Sequence, residues 1–231
     1  MCGRYSLTLP PEAVRQWFAF RGQPNVAPRY NIAPTQEVPI IRAAEAGAEM
    51  VIARFGLVPS WSKEIGGKPL INARSESVDE RPAFRDAFRE RRCLVPADGF
   101  FEWQVAESGP KIPYRICRKN RGLFAMAGIW EAWTDPASGQ RLISFAILTT
   151  DANNLLRPIH DRMPVILDDA DRARWIAPTS TPEEAKTLLK APPDDALIAY
   201  VISTRVNKVA NDDAAILDPA APPGGSQMSL L

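Results

Sequence analysis

Histidine and cysteine are scarce in this chain. Its 231 residues include one histidine, His160, and three cysteines, Cys2, Cys93 and Cys117. A single imidazole excludes multi-histidine metal sites, and any imidazole catalysis must use His160. The odd number and wide spacing of the cysteines argue against a disulfide framework or a zinc cluster. We therefore expect no metal site.

Long apolar segments and a strong net charge are also lacking. The run LISFAIL at 142–148 is only strand-sized, and the N-terminal region has no apolar core typical of a signal peptide. We therefore expect a cytoplasmic protein with no membrane partner. The net charge of +1 gives no overall basic character typical of nucleic-acid binding. Arginine nevertheless supplies 21 of the 28 cations, and its guanidinium suits bidentate phosphate contacts.

Common cofactor and hydrolase motifs are absent as well. The sequence contains no GxGxxG, P-loop, HExxH or GxSxG pattern. Nucleotide-cofactor enzymes and the familiar hydrolase classes therefore lack support, and we expect no cofactor.

Length and composition predict one α+β domain. Helical periodicity and caps predict helices at 10–20, 81–92, 168–176 and 181–190. Segments rich in β-branched and aromatic residues predict strands at 37–43, 50–58, 93–97, 99–105, 112–118, 122–133, 141–150 and 196–203. Strands dominate the middle of the chain, so we expect a curved, barrel-like, mostly antiparallel β core with flanking helices. The domain is predicted to span 1–215, and the Pro/Gly-rich tail 216–231 is predicted to be disordered.

The chain begins MCGRYS, and Cys2 is the cysteine without a simple packing explanation. Cys93 and Cys117 lie in alternating apolar segments and are expected to pack as small core residues. Once Met1 is removed, Cys2 carries an amine and a thiol on adjacent carbons. Their unperturbed pKa values, about 8 for the amine and about 8.5 for the thiol, leave both groups partly reactive near neutrality.

Glu102 and His160 each allow two interpretations. In the strand GFFEWQ, alternation places Phe100, Glu102 and Gln104 on one face. A carboxyl desolvated among aromatic residues has a raised pKa and can donate a proton, whereas a glutamate on an edge strand simply points to water. The two interpretations are evenly matched on the pattern alone. A lone histidine, such as His160 in RPIHDRMP, is more often structural than catalytic.

Two further segments contain polar or aromatic residues that could bind a ligand. In PLINARSES, Asn72 could orient an amine or carbonyl and Arg74 could bind a phosphate, although a strand end followed by a polar turn is the simpler explanation. In VPSWSK, Trp61 stands in a Pro/Ser-rich loop, where it could stack on a base or fold back onto the core.

Taken in order, six segments resemble one known family. MCGRY, RYNIAPTQ, FGLVPSW, INARSES, RRCLVPADGFFEW and IHDRMPVIL are similar to the motifs of the SOS-response-associated peptidase (SRAP) family, over residues 2 to 210. The resemblance implies a single α+β domain with a β-rich core. It also implies recognition of abasic sites in single-stranded DNA and formation of a covalent DNA–protein crosslink.

The same resemblance implies roles for individual residues. The family's catalytic positions fall on Cys2, Asn72, Glu102 and His160. Its DNA-binding positions fall on Arg4, Arg74 and Arg162 for the backbone, on Trp61 and Ser62 for a wedge-like aromatic and its neighbour, and on Asn31 and Pro34 for the channel lining. Single-stranded DNA with abasic sites is the implied partner, together with replication-fork proteins, and a DNA role implies association with the nucleoid. The chain is expected to act as a monomer.

The chain departs from the family at two places. Phe55 stands where many relatives have tryptophan, which should change packing under the Trp61 loop more than chemistry. The late segment YVISTRVNKVAND at 200–212 matches the family only loosely, so its part in the DNA channel is open.

An N-terminal cysteine and an aldehyde can form a thiazolidine ring, and two other functions compete with that chemistry. An N-terminal-nucleophile peptidase would use Cys2 to cleave its own leader or other peptides. A non-covalent single-strand-binding module would leave Cys2 structural. If an imine forms on the way to the crosslink, β-elimination predicts a weak lyase activity in addition.

Overall fold

The computed structural model describes residues 2–21 and 26–220. Its strands are β1 (Tyr5–Leu7), β2 (Arg29–Ile32), β3 (Glu37–Ala44), β4 (Gly47–Phe55), β5 (Asn72–Arg74), β6 (Arg92–Ala97), β7 (Gly99–Gln104), β8 (Ile112–Arg118), β9 (Phe124–Thr134), β10 (Arg141–Asp151), β11 (Arg162–Pro164), β12 (Ile166–Leu167) and β13 (Leu197–Val201). Its α-helices are α1 (Pro11–Phe18), α2 (Arg85–Glu90), α3 (Asp171–Ile176) and α4 (Pro182–Thr187).

Five of the strands close into a barrel. β3 pairs antiparallel with β4 and β6, β6 with β9, and β9 with β10. β10 closes the ring by pairing in parallel with β4, where Phe145 lies beside Phe55. Closure leaves these strands without a free edge. The predicted α+β fold with a barrel-like, mostly antiparallel core is therefore confirmed, and the parallel pairings of β10 with β4 and β5 are the exceptions.

Aromatic residues fill the core where the barrel meets the first strand. Phe55 stacks on Phe145 with ring centroids 5.1 Å apart, and Tyr5 packs edge-on against Phe55 at 5.7 Å. All three side chains are buried. Phe55, the position that departs from the family pattern, therefore packs in the core, and its effect on the Trp61 loop stays a prediction.

The second sheet brings the start of the chain to β7. Its order is β13-β8-β7-β1-β2, and Tyr5 pairs with Phe100 across β1 and β7. The Phe101 amide donates to the Arg4 carbonyl at 2.9 Å, which continues this pairing toward Cys2. Residues near position 2 consequently lie beside the middle of β7.

The helices are shorter than the periodicity predicts. α2 begins at Arg85 because residues 81–84 form a turn, with the Phe84 amide donating to the Arg81 carbonyl. It ends before Arg92, which opens β6 and donates to the carbonyls of Phe88 and Trp175. At α4, Thr181 and Glu184 form a capping box.

The described residues extend past position 215 as far as 220. A 3₁₀ turn spans Ala214–Leu217 with Ile216 buried, and Ile202 forms a bridge with Pro219. The remainder of the predicted tail, 221–231, lies outside the described residues. Within the described chain, no helix has both the length and the apolar character needed to cross a membrane.

Candidate active site

Cys2 is fully buried just before β1. Burial raises the pKa of its thiol well above the usual range, and the nearby Glu102 carboxylate raises it further. The Arg4 main-chain amide hydrogen-bonds to the sulfur and partly opposes this shift. The thiol is therefore protonated at neutral pH, and it needs a neighbouring base to become a nucleophile.

Asn72 reaches Cys2 from the other sheet. β5 pairs in parallel with β10, Asn72 beside Ile147, and this pairing directs the asparagine to the start of the chain. Its Nδ2 donates to the Cys2 carbonyl at 2.9 Å. Its Oδ1 is buried and has no hydrogen-bond partner among the described residues. A buried acceptor left unpaired is costly, so the site offers an acceptor for an N–H or O–H group beside Cys2.

Glu102 is desolvated. It lies on β7, the central strand of its sheet, and only 2% of its surface is exposed. Burial raises its pKa from 4.5 to about 7. The structure thus decides between the two interpretations of the sequence: Glu102 is the buried carboxyl, and the edge-strand alternative is wrong. A carboxyl with this pKa can both accept and donate a proton near neutrality.

His160 lies in the connection between β10 and β11. The Arg162 main-chain amide donates to its Nδ1 at 3.0 Å, and burial lowers the pKa of the imidazole. The Asp161 carboxylate also lies 2.8 Å from Nδ1, which would be an ion pair only with a protonated ring. Because the amide donor needs a free lone pair on Nδ1, we assign the neutral ring with its proton on Nε2.

A contact from β7 ties the His160 loop to the strand of Glu102. The Gln104 Nε2 donates to the Pro158 carbonyl at 2.9 Å, two residues before His160. The charges of Asp161 and Lys111 also shift the pKa values of both Glu102 and His160. Gln104 is a site residue that sequence reasoning missed, although its place on the same strand face as Glu102 could have indicated it.

Arg4 and Asn31 hydrogen-bond to each other and to a late segment of the chain. Arg4 donates to the Val206 carbonyl at 2.7 Å and to Asn31 Oδ1 at 3.0 Å. The Asn31 amide donates in turn to the carbonyls of Val206, Lys208 and Asn211. Both side chains are buried and hold the loosely matched segment near 206–211 against β2 and the start of β1. A phosphate contact by Arg4 stays a prediction.

The remaining predicted DNA contacts lie around this centre. Trp61 is 65% exposed in a turn, and it borders a cavity of about 250 Å³ that Arg54 and Lys68 also line. The carbonyl of Ser62 accepts a hydrogen bond of 2.7 Å from Trp133, which anchors that turn. The exposure of Trp61 favours the stacking interpretation over packing onto the core.

Three more predicted residues complete the set. Arg74 is exposed at the end of β5, beside Thr149 of β10. Arg162 is buried at the start of β11, and Pro34 lies half-buried in the turn between β2 and β3. Their contacts with DNA stay predictions. Over 2–21 and 26–220, no three His, Cys, Asp or Glu side chains are grouped to hold a metal ion.

Comparison with known proteins identifies the family of this chain. Residues 1–209 match the SOS response associated peptidase (SRAP) family. The chain is 38% identical over 224 residues to abasic site processing protein YoqW of Bacillus subtilis, covering 94% of this chain and 99% of that protein. It is 30% identical over 258 residues to abasic site processing protein HMCES of Xenopus tropicalis, covering 92% and 76% of the two. A crystal structure of a Bacteroides thetaiotaomicron protein superposes with a TM-score of 0.85 at 29% identity, covering 95% of this chain and 100% of that one. The chain belongs to the SRAP family.

Proposed function

We propose that this protein processes abasic sites in single-stranded DNA and binds them covalently through Cys2. One observation carries the proposal: Cys2 is buried near Glu102, whose carboxylate raises the pKa of the thiol, and the Asn72 amide donates to its carbonyl. The family relationship and the names of the relatives support the same substrate. Removal of Met1, by the chain itself or by an aminopeptidase, must come first because an acylated amine cannot form an imine.

The chemistry uses the two groups of the freed cysteine in turn. The amine adds to the aldehyde of the ring-opened sugar and gives a carbinolamine. Loss of one water molecule leaves a C=N bond between the sugar carbon and the cysteine nitrogen. The thiol sulfur then bonds to that carbon while its proton passes to the nitrogen, closing a five-membered thiazolidine. Intramolecular closure has a high effective molarity, which favours the ring over the open imine.

The surrounding residues supply proton transfer and orientation. Glu102, with a pKa of about 7, donates a proton to the departing hydroxyl and accepts the proton of the thiol. Neutral His160 donates from Nε2 to the sugar oxygen. Asn72 uses its unpaired Oδ1 to accept from the reacting nitrogen. The order of these transfers follows from the chemistry: water must leave before sulfur can add to the carbon.

The exposed and cationic residues bind the strand. In this proposal Arg4, Arg74 and Arg162 contact phosphates, which position the DNA without reading its sequence. Trp61 stacks beside the lesion and favours single strands. The imine also permits β-elimination, so a weak lyase activity belongs to the proposal. Association with the nucleoid and with replication-fork proteins, and action as a monomer, follow from the same hypothesis.

The deciding experiment separates the amine from the thiol. Protein whose mass shows loss of Met1 is incubated with a single-stranded oligonucleotide carrying one abasic site, and adducts are resolved under denaturing conditions. Wild type should form a stable adduct without reductant. Cys2→Ala should form one only when borohydride reduces the imine, because it retains the amine and lacks the thiol.

The controls define the result. Cys117→Ala, at a buried cysteine on β8, should form the adduct like wild type. An undamaged oligonucleotide should give no adduct. If processed wild type gives none with abasic DNA, or if Cys2→Ala forms a stable adduct without reductant, the proposed function is wrong.

A further inference from the structure

Arg162 is a buried cation in a fixed geometry. It opens β11 and pairs with Asp151 at the end of β10. Only 8% of its surface is exposed, which leaves its guanidinium little freedom. A ligand can therefore bind Arg162 only by replacing an acceptor in one of the hydrogen bonds that the guanidinium already makes.

Protein acceptors engage all four terminal N–H groups of Arg162. NH1 donates to Glu76 Oε1 at 2.8 Å and to Asp151 Oδ1 at 2.6 Å. NH2 donates to Glu76 Oε2 at 2.9 Å and to the Thr149 carbonyl at 2.7 Å. Each terminal nitrogen carries two hydrogens, so no terminal donor remains for a phosphate. The Nε–H is buried without a partner among the described residues and is not open to solvent.

The acceptors differ in how easily a ligand can displace them. Glu76 binds through both oxygens, the strong fork-to-fork geometry, and its side chain is 51% exposed. The Thr149 carbonyl belongs to β10 and cannot leave without breaking the strand. Asp151 makes a single hydrogen bond to the guanidinium, and its side chain is 83% exposed. An exposed ion pair with a single hydrogen bond is weak. Replacing Asp151 with a ligand therefore costs less free energy than replacing Glu76 or Thr149.

We propose that the Asp151 carboxylate occupies the place on Arg162 that a DNA phosphate takes, while Glu76 and Thr149 hold the guanidinium in position. This inference rests on the proposed single-stranded DNA substrate. When a phosphate arrives, Asp151 turns into solvent and NH1 donates to a phosphate oxygen instead. The buried cation is then paired in both states and is never left without an anion, which would be costly. Glu76 is a positioning residue, and Asp151 is a competitor that sets the affinity.

The test is a double-mutant cycle on binding of an undamaged, fluorescently labelled single-stranded oligonucleotide. Asp151→Asn should tighten binding about two- to fivefold, the range expected from loss of an exposed ion pair. Glu80→Gln removes an equal charge from an exposed residue of the neighbouring turn and measures the general electrostatic effect. In an Arg162→Gln background, Asp151→Asn should change the affinity for the oligonucleotide no more than Glu80→Gln does. Glu76→Gln should weaken binding.

Several outcomes would overturn the inference. If Asp151→Asn changes the affinity no more than Glu80→Gln in the wild-type background, or keeps its full effect without Arg162, Asp151 is only a nearby charge. If Glu76→Gln tightens binding more than Asp151→Asn does, the competitor is Glu76 and the assignment is wrong. Thermal unfolding of each variant identifies misfolding, and the neutral Arg162→Met replaces Arg162→Gln if the latter does not fold.

Parallel adduct formation by wild type on abasic DNA separates this inference from the proposed function. If wild type forms the adduct and Asp151→Asn binds like wild type, only the Asp151 inference fails. If wild type binds the undamaged strand without forming the adduct, only the covalent chemistry fails. If wild type binds no single-stranded DNA, both fail.

Discussion

The Asn72 side chain donates a 2.9 Å hydrogen bond to the main-chain carbonyl of Cys2, which joins β5 to the start of the chain across 70 positions of sequence. This bond fixes the direction of the residue whose amine and thiol are proposed to react. The same asparagine keeps its Oδ1 buried and unpaired among the described residues. One side chain therefore both orients Cys2 and offers an acceptor to the reacting group.

Asn72→Ala should slow adduct formation about 10- to 100-fold, because loss of orientation reduces effective molarity. Stability should fall by only about 1 kcal/mol, the net worth of one hydrogen bond. Single-turnover rates on abasic DNA and thermal unfolding measure the two effects. Asn154→Ala, at an exposed asparagine paired with Asp194, is the matched control and should leave the rate unchanged. A wild-type rate in Asn72→Ala would contradict the role.

Glu102→Gln should change the pH dependence of the reaction. Where ring closure limits the rate in wild type, the rate should rise as pH rises through about 7, because deprotonated Glu102 can accept the proton of the thiol. The α-amine adds a second rise near its own pKa of about 8. The variant should react more slowly and retain only the later rise. If the first inflection of the rate–pH profile persists in Glu102→Gln, that inflection belongs to another group.

The raised pKa of Glu102 also predicts how stability depends on pH. Because the folded-state pKa of about 7 exceeds the ordinary 4.5, the folded chain binds the proton more tightly, and stability is lost as pH rises from about 4.5 through 7. Glu102→Gln removes this loss, so it should stabilise the protein at pH 8 relative to wild type, by on the order of 2–3 kcal/mol. The difference should vanish near pH 4.5. Urea unfolding at several pH values tests this, and an advantage independent of pH would contradict it.

Gln104 is expected to position His160 through the loop it holds. Gln104→Glu removes the Nε2 donor to the Pro158 carbonyl and keeps an oxygen for Tyr114, whose hydroxyl lies 3.2 Å from Oε1. Adduct formation should slow, and the variant should have no further effect in a His160→Ala background. Tyr114→Phe, which removes only the tyrosine hydroxyl, should slow adduct formation less than Gln104→Glu does. Equal slowing by Gln104→Glu with and without His160 would show that the two residues act separately.

Gly128→Ala should destabilise the barrel. A Cβ at Gly128 of β9 would lie 2.8 Å from Val95 Cγ2 and 2.9 Å from Cys93 Sγ, closer than van der Waals contact permits. Overpacking of this kind costs about 1–3 kcal/mol. Cys93→Ala in the same chain removes one of the two clashes and should recover part of the loss. Thermal unfolding of the single and double variants measures both, and an unchanged Gly128→Ala protein would contradict the packing.

The sequence predicts most of the fold and fewer of its details. Alternation and turn residues located the long strands, since each pattern is local and repeats over several residues. The sequence does not predict β1 and β2, because three or four residues are too few to show a period. The predicted α2 is too long at its end, because periodicity cannot show that the Arg92 side chain binds carbonyls of other segments instead of continuing the helix.

Six ordered motifs are enough to recognise the family and to name the candidate residues from the amino-acid sequence. The protonation states and contacts of those residues depend on the folded chain. Folding buries Glu102 and raises its pKa, and it brings Asn72 within hydrogen-bond distance of the Cys2 carbonyl. It also places the Arg4 guanidinium in a hydrogen bond with a carbonyl 202 positions away. Burial and long-range hydrogen bonds depend on strand register and barrel closure, which join segments that no local pattern relates.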